Sequence, residues 1–139
     1  MEHLGTIEKV DQPTGWVNSI VKVEKPDGNL RICLDSKDLN RAVQREHFQL
    51  PTSPEITNKL TGVKVFSKLD ATDGFWNVKL DHPSSLLTTF NTPSGRFKLN
   101  RLAFGLNSSN EVFQKKMQFA FEWIEGADVI YDDLLIGQR

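Results

Sequence analysis

Cysteine is almost absent from this sequence. The only one, Cys33, excludes an intrachain disulfide and fits a reducing compartment. The three histidines, His3, His47 and His82, are too scattered to build a zinc site with it. No apolar run approaches the length of a bilayer span. The opening Met1-Glu2-His3-Leu4-Gly5 lacks the basic and then apolar profile of a signal peptide. An excess of one charge is missing too: 17 Lys and Arg stand against 18 Asp and Glu, for a net charge of −1. A nucleic-acid-binding face, if there is one, must therefore be local. Repeats and low-complexity segments are absent. What is present, 139 residues of which 38% are hydrophobic, suits one domain with a moderate core.

Residues 1–15 read as an irregular lead-in. Trp16 to Val23 alternates as a strand, and Lys25-Pro26-Asp27-Gly28-Asn29 is a turn. Leu30 to Leu34 reads as the returning strand of a hairpin, with Arg31 and Cys33 on one face. Lys22, Lys25, Arg31, Lys37, Arg41 and Arg45 make this the most basic region. Phosphate contact and a solvated charged hairpin are both open readings of it. A short helix to about Leu60 starts where Ser53 can cap and Pro54 fits the first position, and Thr61-Gly62 ends it. Val63 to Leu69 reads as a strand with Asp70 at its carboxyl end. A tight turn or short helical segment follows through Trp76, which reads as core. Asn77–Leu80 and Thr88–Asn91 read as short strands around a polar linker at 81–85. Thr92 to Gly95 is a turn, and Phe97 to Leu102 is extended. Ser108-Ser109-Asn110-Glu111 has the capping-box pattern. It predicts a helix to about Ile124 with Phe113, Met117, Ala120 and Ile124 on its apolar face, stopped by Gly126. Short strands with helices between them, and hairpins at both ends, predict an α+β fold.

The chemistry concentrates in acids. Val129-Ile130 and Leu134-Leu135-Ile136 flank Tyr131-Asp132-Asp133, which predicts a hairpin whose tight turn carries the two carboxylates. Read alone, that turn is better explained by the turn preference of Asp than by a metal site, and Asp70 or Asp73 can be explained by helix capping. If the two strands are neighbours in one sheet, Asp70, Asp132 and Asp133 converge. Converging carboxylates repel, and divalent cations, which take oxygen ligands, relieve that repulsion. Two such ions support in-line displacement at phosphorus.

At this point a family resemblance enters. Leu30-Arg31-Ile32-Cys33-Leu34-Asp35 with Asp38-Leu39-Asn40, Gln49-Leu50-Pro51, Val65 to Asp70 with Asp73-Gly74-Phe75-Trp76, Thr89 to Pro93, Arg101-Leu102 with Phe104-Gly105-Leu106, Val112-Phe113-Gln114 and the Asp-Asp hairpin follow one another in order and spacing. Together they resemble the fingers and palm of a reverse transcriptase, of the type in gypsy-like LTR retrotransposon Pol polyproteins. The resemblance covers roughly residues 4–136. It implies a right-hand polymerase fold with an antiparallel palm sheet, about 16–62 being fingers and about 63–139 palm. It implies that Asp70, Asp132 and Asp133, with the carbonyl of Ala71, hold two Mg²⁺ ions, for which Mn²⁺ can substitute. Arg31 and Lys25 would contact the triphosphate of the incoming nucleotide. Phe75 would exclude a 2′-hydroxyl, and Phe104 and Gly105 would border the nucleotide. Leu50-Pro51 would lie near the template. The implied partners are an RNA or DNA template with its primer, a dNTP and the rest of the Pol polyprotein, with no membrane. The implied setting is the cytoplasm, within the virus-like particle of the parent element.

Three positions depart from the family pattern. Ile130 stands where a tyrosine is usual, Ala103 where a proline precedes Phe104-Gly105, and Asn110 where a proline opens the helix. The thumb, connection and RNase H regions of the family have no counterpart in these residues, and Leu134 to Ile136 reads as barely long enough to pair. The expected function is therefore that of a fragment of an RNA-directed DNA polymerase, joining a dNTP to a primer 3′-hydroxyl. A catalytically inactive remnant that binds nucleic acid weakly is the alternative. A metal-dependent nuclease would use the same acids but would leave the fingers motifs unexplained.

Overall fold

The computed structural model describes residues 4–45 and 47–139, so His3 lies outside them. The described chain packs as two compact units. One takes residues up to Gln44 together with Phe75–Ser109; the other takes Arg45–Gly74 and Asn110–Arg139.

In the first unit, β2 (Ser19–Glu24) and β3 (Leu30–Asp35) pair antiparallel, as the Pro-Asp-Gly turn predicts. The turn closes with the Asn29 N–H donating to the Asp27 carboxylate at 3.0 Å. That bond, with the Asn29 side chain, holds the Asp27 carboxyl below its ordinary value. A second sheet has the order β1 (Ile7–Lys9), β6 (Gly95–Leu99), β5 (Phe90–Thr92). Leu34, Phe90, Phe97, Leu99 and Ala103 form the buried core, with Ile7, Ile20, Trp76 and Leu106 against it. Ala103, one of the departures, is completely enclosed there.

Three expectations are corrected in this unit. The lead-in contains β1, a strand too short to be read locally, which exists because β6 offers it an edge. The stretch 77–80 makes only one isolated bridge, between Lys79 and Arg101. The polar linker contains helix α3 (His82–Leu87): the Asp81 carboxylate accepts the Ser84 N–H at 2.8 Å, and Pro83 presets the first turn. Its end is fastened to β6 by buried hydroxyls, with Ser85 Oγ donating to the Leu99 carbonyl at 2.7 Å and the Leu99 N–H donating to Thr88 Oγ1 at 2.8 Å. A further short helix, α1 (Lys37–Ala42), was not anticipated; Leu39 is the one residue it buries.

In the second unit, α2 (Ser53–Leu60) has Thr52 as its cap, one residue earlier than expected. The Thr52 N–H donates to Glu55 at 2.7 Å, which lowers the Glu55 carboxyl. The sheet has the order β4 (Val65–Asp70), β8 (Asp133–Gln138), β7 (Ala127–Ile130). The strand expected to be barely long enough is thus six residues long and central, pairing on both sides. Helix α4 (Asn107–Phe121) opens one residue before the expected cap. The Ser109 hydroxyl donates to the Ala103 carbonyl, and Glu111 is buried in an ion pair with Arg45 instead of reaching back to a cap. On the expected apolar face Phe113 is buried, Met117 and Ile124 are half-buried, and Ala120 is exposed. Both units are mixed helix and antiparallel sheet, the α+β class expected. No helix among the described residues is long and apolar enough to cross a membrane.

Candidate functional site

The acids lie in the second unit. Asp70 ends β4 and is paired directly with Asp133, the first residue of β8. The hairpin between β7 and β8 closes with Ile130 opposite Asp133, so its two-residue loop is Tyr131-Asp132. This corrects the expected turn: Asp132 sits in the loop, and Asp133 is already on the ladder. Tyr131 has φ of 55°, a left-handed conformation that a bulky residue adopts only under constraint. A positive φ at the first loop position marks the primed turn that matches strand twist, and glycine is its usual occupant.

Two carboxylates directly opposite on paired strands repel one another. The structure answers with Lys68, whose Nζ lies 2.9 Å from Asp133 Oδ2. The hydrogen bond to Asp133 is the main reason the Lys68 ammonium is held above its ordinary value; the charges of Asp133 and Asp70 add to it. Lys68 carried no expectation. Its signal was present: residues i and i+2 of a strand share a face, so Lys68 lies on the face of Asp70.

The hairpin is also tied to α4. Gln114 is completely buried, and its Nε2 donates to the Val129 carbonyl at 2.8 Å. Two hard-oxygen donors, adjacent and in need of a positive charge, fit a divalent cation such as Mg²⁺. Ala71, whose carbonyl was expected to add a ligand, follows Asp70 directly and is half-buried. Among the described residues, no three or more His, Cys, Asp and Glu side chains are gathered as a metal-holding group. The structure thus brings Asp70 and Asp133 together, with Asp132 exposed in the loop beside them.

The nucleotide residues expected from the resemblance lie in the first unit. The Arg31 guanidinium sits over the Phe104 ring, 4.6 Å from its centroid. Phe104 stacks on Phe75 at 4.7 Å and meets the Trp76 ring edge-on at 5.7 Å. This arrangement orders Arg31 by cation–π attraction without consuming its hydrogen-bond donors. Phe75 is buried, while Phe104 is partly open. Behind Phe104, the backbone is clamped to β3 and α1. The Leu34 N–H donates to the Phe104 carbonyl at 2.9 Å, and Ser36 Oγ and Asn40 Nδ2 donate to the Gly105 carbonyl at 2.7 and 2.9 Å. Gly105 has φ of 100°, and a Cβ there would collide with the Leu34 carbonyl oxygen. Ser36 and Asn40 were not anticipated; their bonds join residues 65 and more apart in sequence, and no local pattern announces them. Lys25 opens the β2–β3 turn and is half-buried.

The chain matches the family model described as reverse transcriptase (RNA-dependent DNA polymerase) over residues 23–138. It is 34% identical over 125 residues to an enzymatic polyprotein of cauliflower mosaic virus (strain Strasbourg), covering 89% of this chain and 18% of the polyprotein. It is 34% identical over 108 residues to a retrovirus-related Pol polyprotein from transposon 412 of Drosophila melanogaster, covering 76% of this chain and 9% of that protein. Its fold is similar to that of a foamy viral protease-reverse transcriptase solved in complex with double-stranded DNA. The TM-score is 0.89 and the identity 27%, over 99% of this chain and 24% of the other. The chain therefore spans less than a fifth of the length of these curated relatives.

Proposed function

The chain belongs to the reverse transcriptase family, and we propose that it carries the catalytic acids and nucleotide contacts of an RNA-directed DNA polymerase. The observation that carries this reading is the direct pairing of Asp70 with Asp133, one residue from the loop that holds Asp132. In this reading residues 16–62 serve as fingers and 63–139 as palm. Asp70, Asp132 and Asp133, with the Ala71 carbonyl, would hold two Mg²⁺ ions, or Mn²⁺ in their place. When bound, the ions would supply neutralisation of the charge that builds on the attacking and leaving oxygens.

The protein's own residues do the remaining work. Arg31, ordered on Phe104, takes triphosphate oxygens through donors that the ring leaves free. Lys25 adds a second cation from the β2–β3 turn. Phe75, held by its stack on Phe104, would exclude a 2′-hydroxyl by size. Gly105, whose missing side chain lets its backbone pack on the Leu34 carbonyl, would border the nucleotide. The primer 3′-hydroxyl attacks the α-phosphate and pyrophosphate leaves. The template selects the base by pairing, and the protein contacts the backbone and shape of the hybrid. Partners in this reading are an RNA or DNA template with primer, a dNTP and further segments of a Pol polyprotein. The setting is the cytoplasm, within the particle of the parent element.

The test is Mg²⁺- or Mn²⁺-dependent incorporation of a labelled deoxynucleotide on a primed RNA template, beside Asp132→Asn. Incorporation is expected, and the variant should lose it by more than about 100-fold, since even residues behind a metal ligand cost about 10- to 100-fold. A folded sample that incorporates nothing would turn the reading to an inactive remnant.

A further inference from the structure

We propose that Lys68 is a built-in counter-ion for the acid pair, holding Asp133 and Asp70 together before a divalent ion arrives and competing with that ion for Asp133. The inference rests on the function proposed above only in taking Asp70 and Asp133 as cation ligands. Its own basis is the sheet. The β4–β8 ladder sets Asp70 opposite Asp133 and Lys68 opposite Leu135. Lys68, Asp70, Asp133 and Leu135 therefore share one face, and Lys68 is the diagonal neighbour of Asp133, within reach of a long side chain. Its ammonium takes up that position at 2.9 Å from Asp133 Oδ2.

Without Lys68, two like charges would face each other at the last rung of β4, where the ladder gives way to the 71–74 turn. With it, the rung carries two negative charges and one positive. The same oxygen cannot serve the ammonium and a divalent ion equally well. A cation that ligates Asp133 must loosen the lysine, and the lysine must weaken the cation. Lys68 is about 61% exposed, so the displaced side chain can swing into water at little cost. It is a positioning residue here, acting through Asp133 and touching no substrate.

The measurement is Mn²⁺ binding, followed by the free-ion electron paramagnetic resonance signal, together with thermal melts in chelator, on the whole chain. Lys68→Gln is compared with the unaltered protein, Lys68→Arg, Asp133→Asn and Asp70→Asn. Lys68→Gln is expected to melt at a lower temperature in chelator and to bind Mn²⁺ about two- to fivefold more tightly, the size of effect an exposed ion pair supports. Lys68→Arg keeps the charge and should bind no more tightly than the unaltered chain. In an Asp133→Asn background the melting effect of Lys68→Gln should vanish. If Lys68→Gln is too unstable to titrate, Lys68→Arg still decides: tighter binding by that variant would overturn the inference. Equal Mn²⁺ affinity in Lys68→Gln and the unaltered protein would overturn the competition while leaving the metal reading intact. No Mn²⁺ binding by any folded form, with Asp70→Asn making no difference, would overturn the metal reading and the competition with it.

Discussion

Among the turns in this molecule that carry a left-handed backbone, two are filled differently. In the first unit the position is Gly105, with φ of 100°, clamped against β3 and α1. In the second it is Tyr131, with φ of 55°, in the loop that carries Asp132. Glycine takes such a conformation without penalty. For an L-residue it costs about 1–2 kcal/mol. The Gly105 turn is therefore relaxed locally and fixed by hydrogen bonds, whereas the β7–β8 turn stores strain at Tyr131. Strain of this kind persists only where the surrounding structure holds it in place.

The sharpest way to break the contrast is Gly105→Ala. The new methyl group meets both an unfavourable φ and the Leu34 carbonyl oxygen. Backbone strain and overpacking together predict a loss of about 2–5 kcal/mol, readable as a fall in the denaturant midpoint. A midpoint within experimental error of the unaltered chain would show that the clamp yields. The converse change, Tyr131→Gly, should be small and of opposite sign. Relief of about 1–2 kcal/mol is set against about 0.5–1 kcal/mol for the added freedom of the unfolded chain. A net gain of up to about 1.5 kcal/mol is expected in the same denaturant titration. A clear loss would mean that the tyrosine side chain contributes more than its turn costs.

The same contrast explains what could be read from residues alone. The β2–β3 hairpin was legible because Pro26-Asp27-Gly28 specifies its turn within five residues. Asp70 at a strand end and Asp132-Asp133 between two apolar runs were legible for the same local reason. The central place of β8 was not. It depends on β4 and β7 both choosing it, and a six-residue strand reads the same at an edge as in the middle. The capping-box pattern at Ser108–Glu111 misled because Arg45, 66 residues away, takes the Glu111 carboxylate. Helix α3 has a local signal, Asp81 as cap followed by Pro83 in the first turn, inside a stretch whose polarity alone suggests a linker. Lys68 shares a face with Asp70 by local periodicity, but its pairing with Asp133 follows only from the register of β8.

The smallest expected effect separates the two units by pH. Glu55 caps α2 in the second unit and Asp81 caps α3 in the first, and both carboxyls are held below their ordinary values of 4.5 and 3.8 by backbone and side-chain hydrogen bonds, from Thr52 and Ser84. A carboxyl lowered by folding adds stability that is fully present above its unfolded value and fades as pH falls through its folded value. The α2 contribution should therefore begin to fade near pH 4.5 and the α3 contribution only near pH 3.8. Glu55→Gln and Asp81→Asn keep an acceptor at each cap but remove its titration. In melts taken from about pH 6 to about pH 3, each should flatten the acid limb of the stability curve, Glu55→Gln at the higher pH. Unchanged acid limbs in both variants would place the acid sensitivity elsewhere, with Asp27, whose carboxyl is also lowered, the next group to replace.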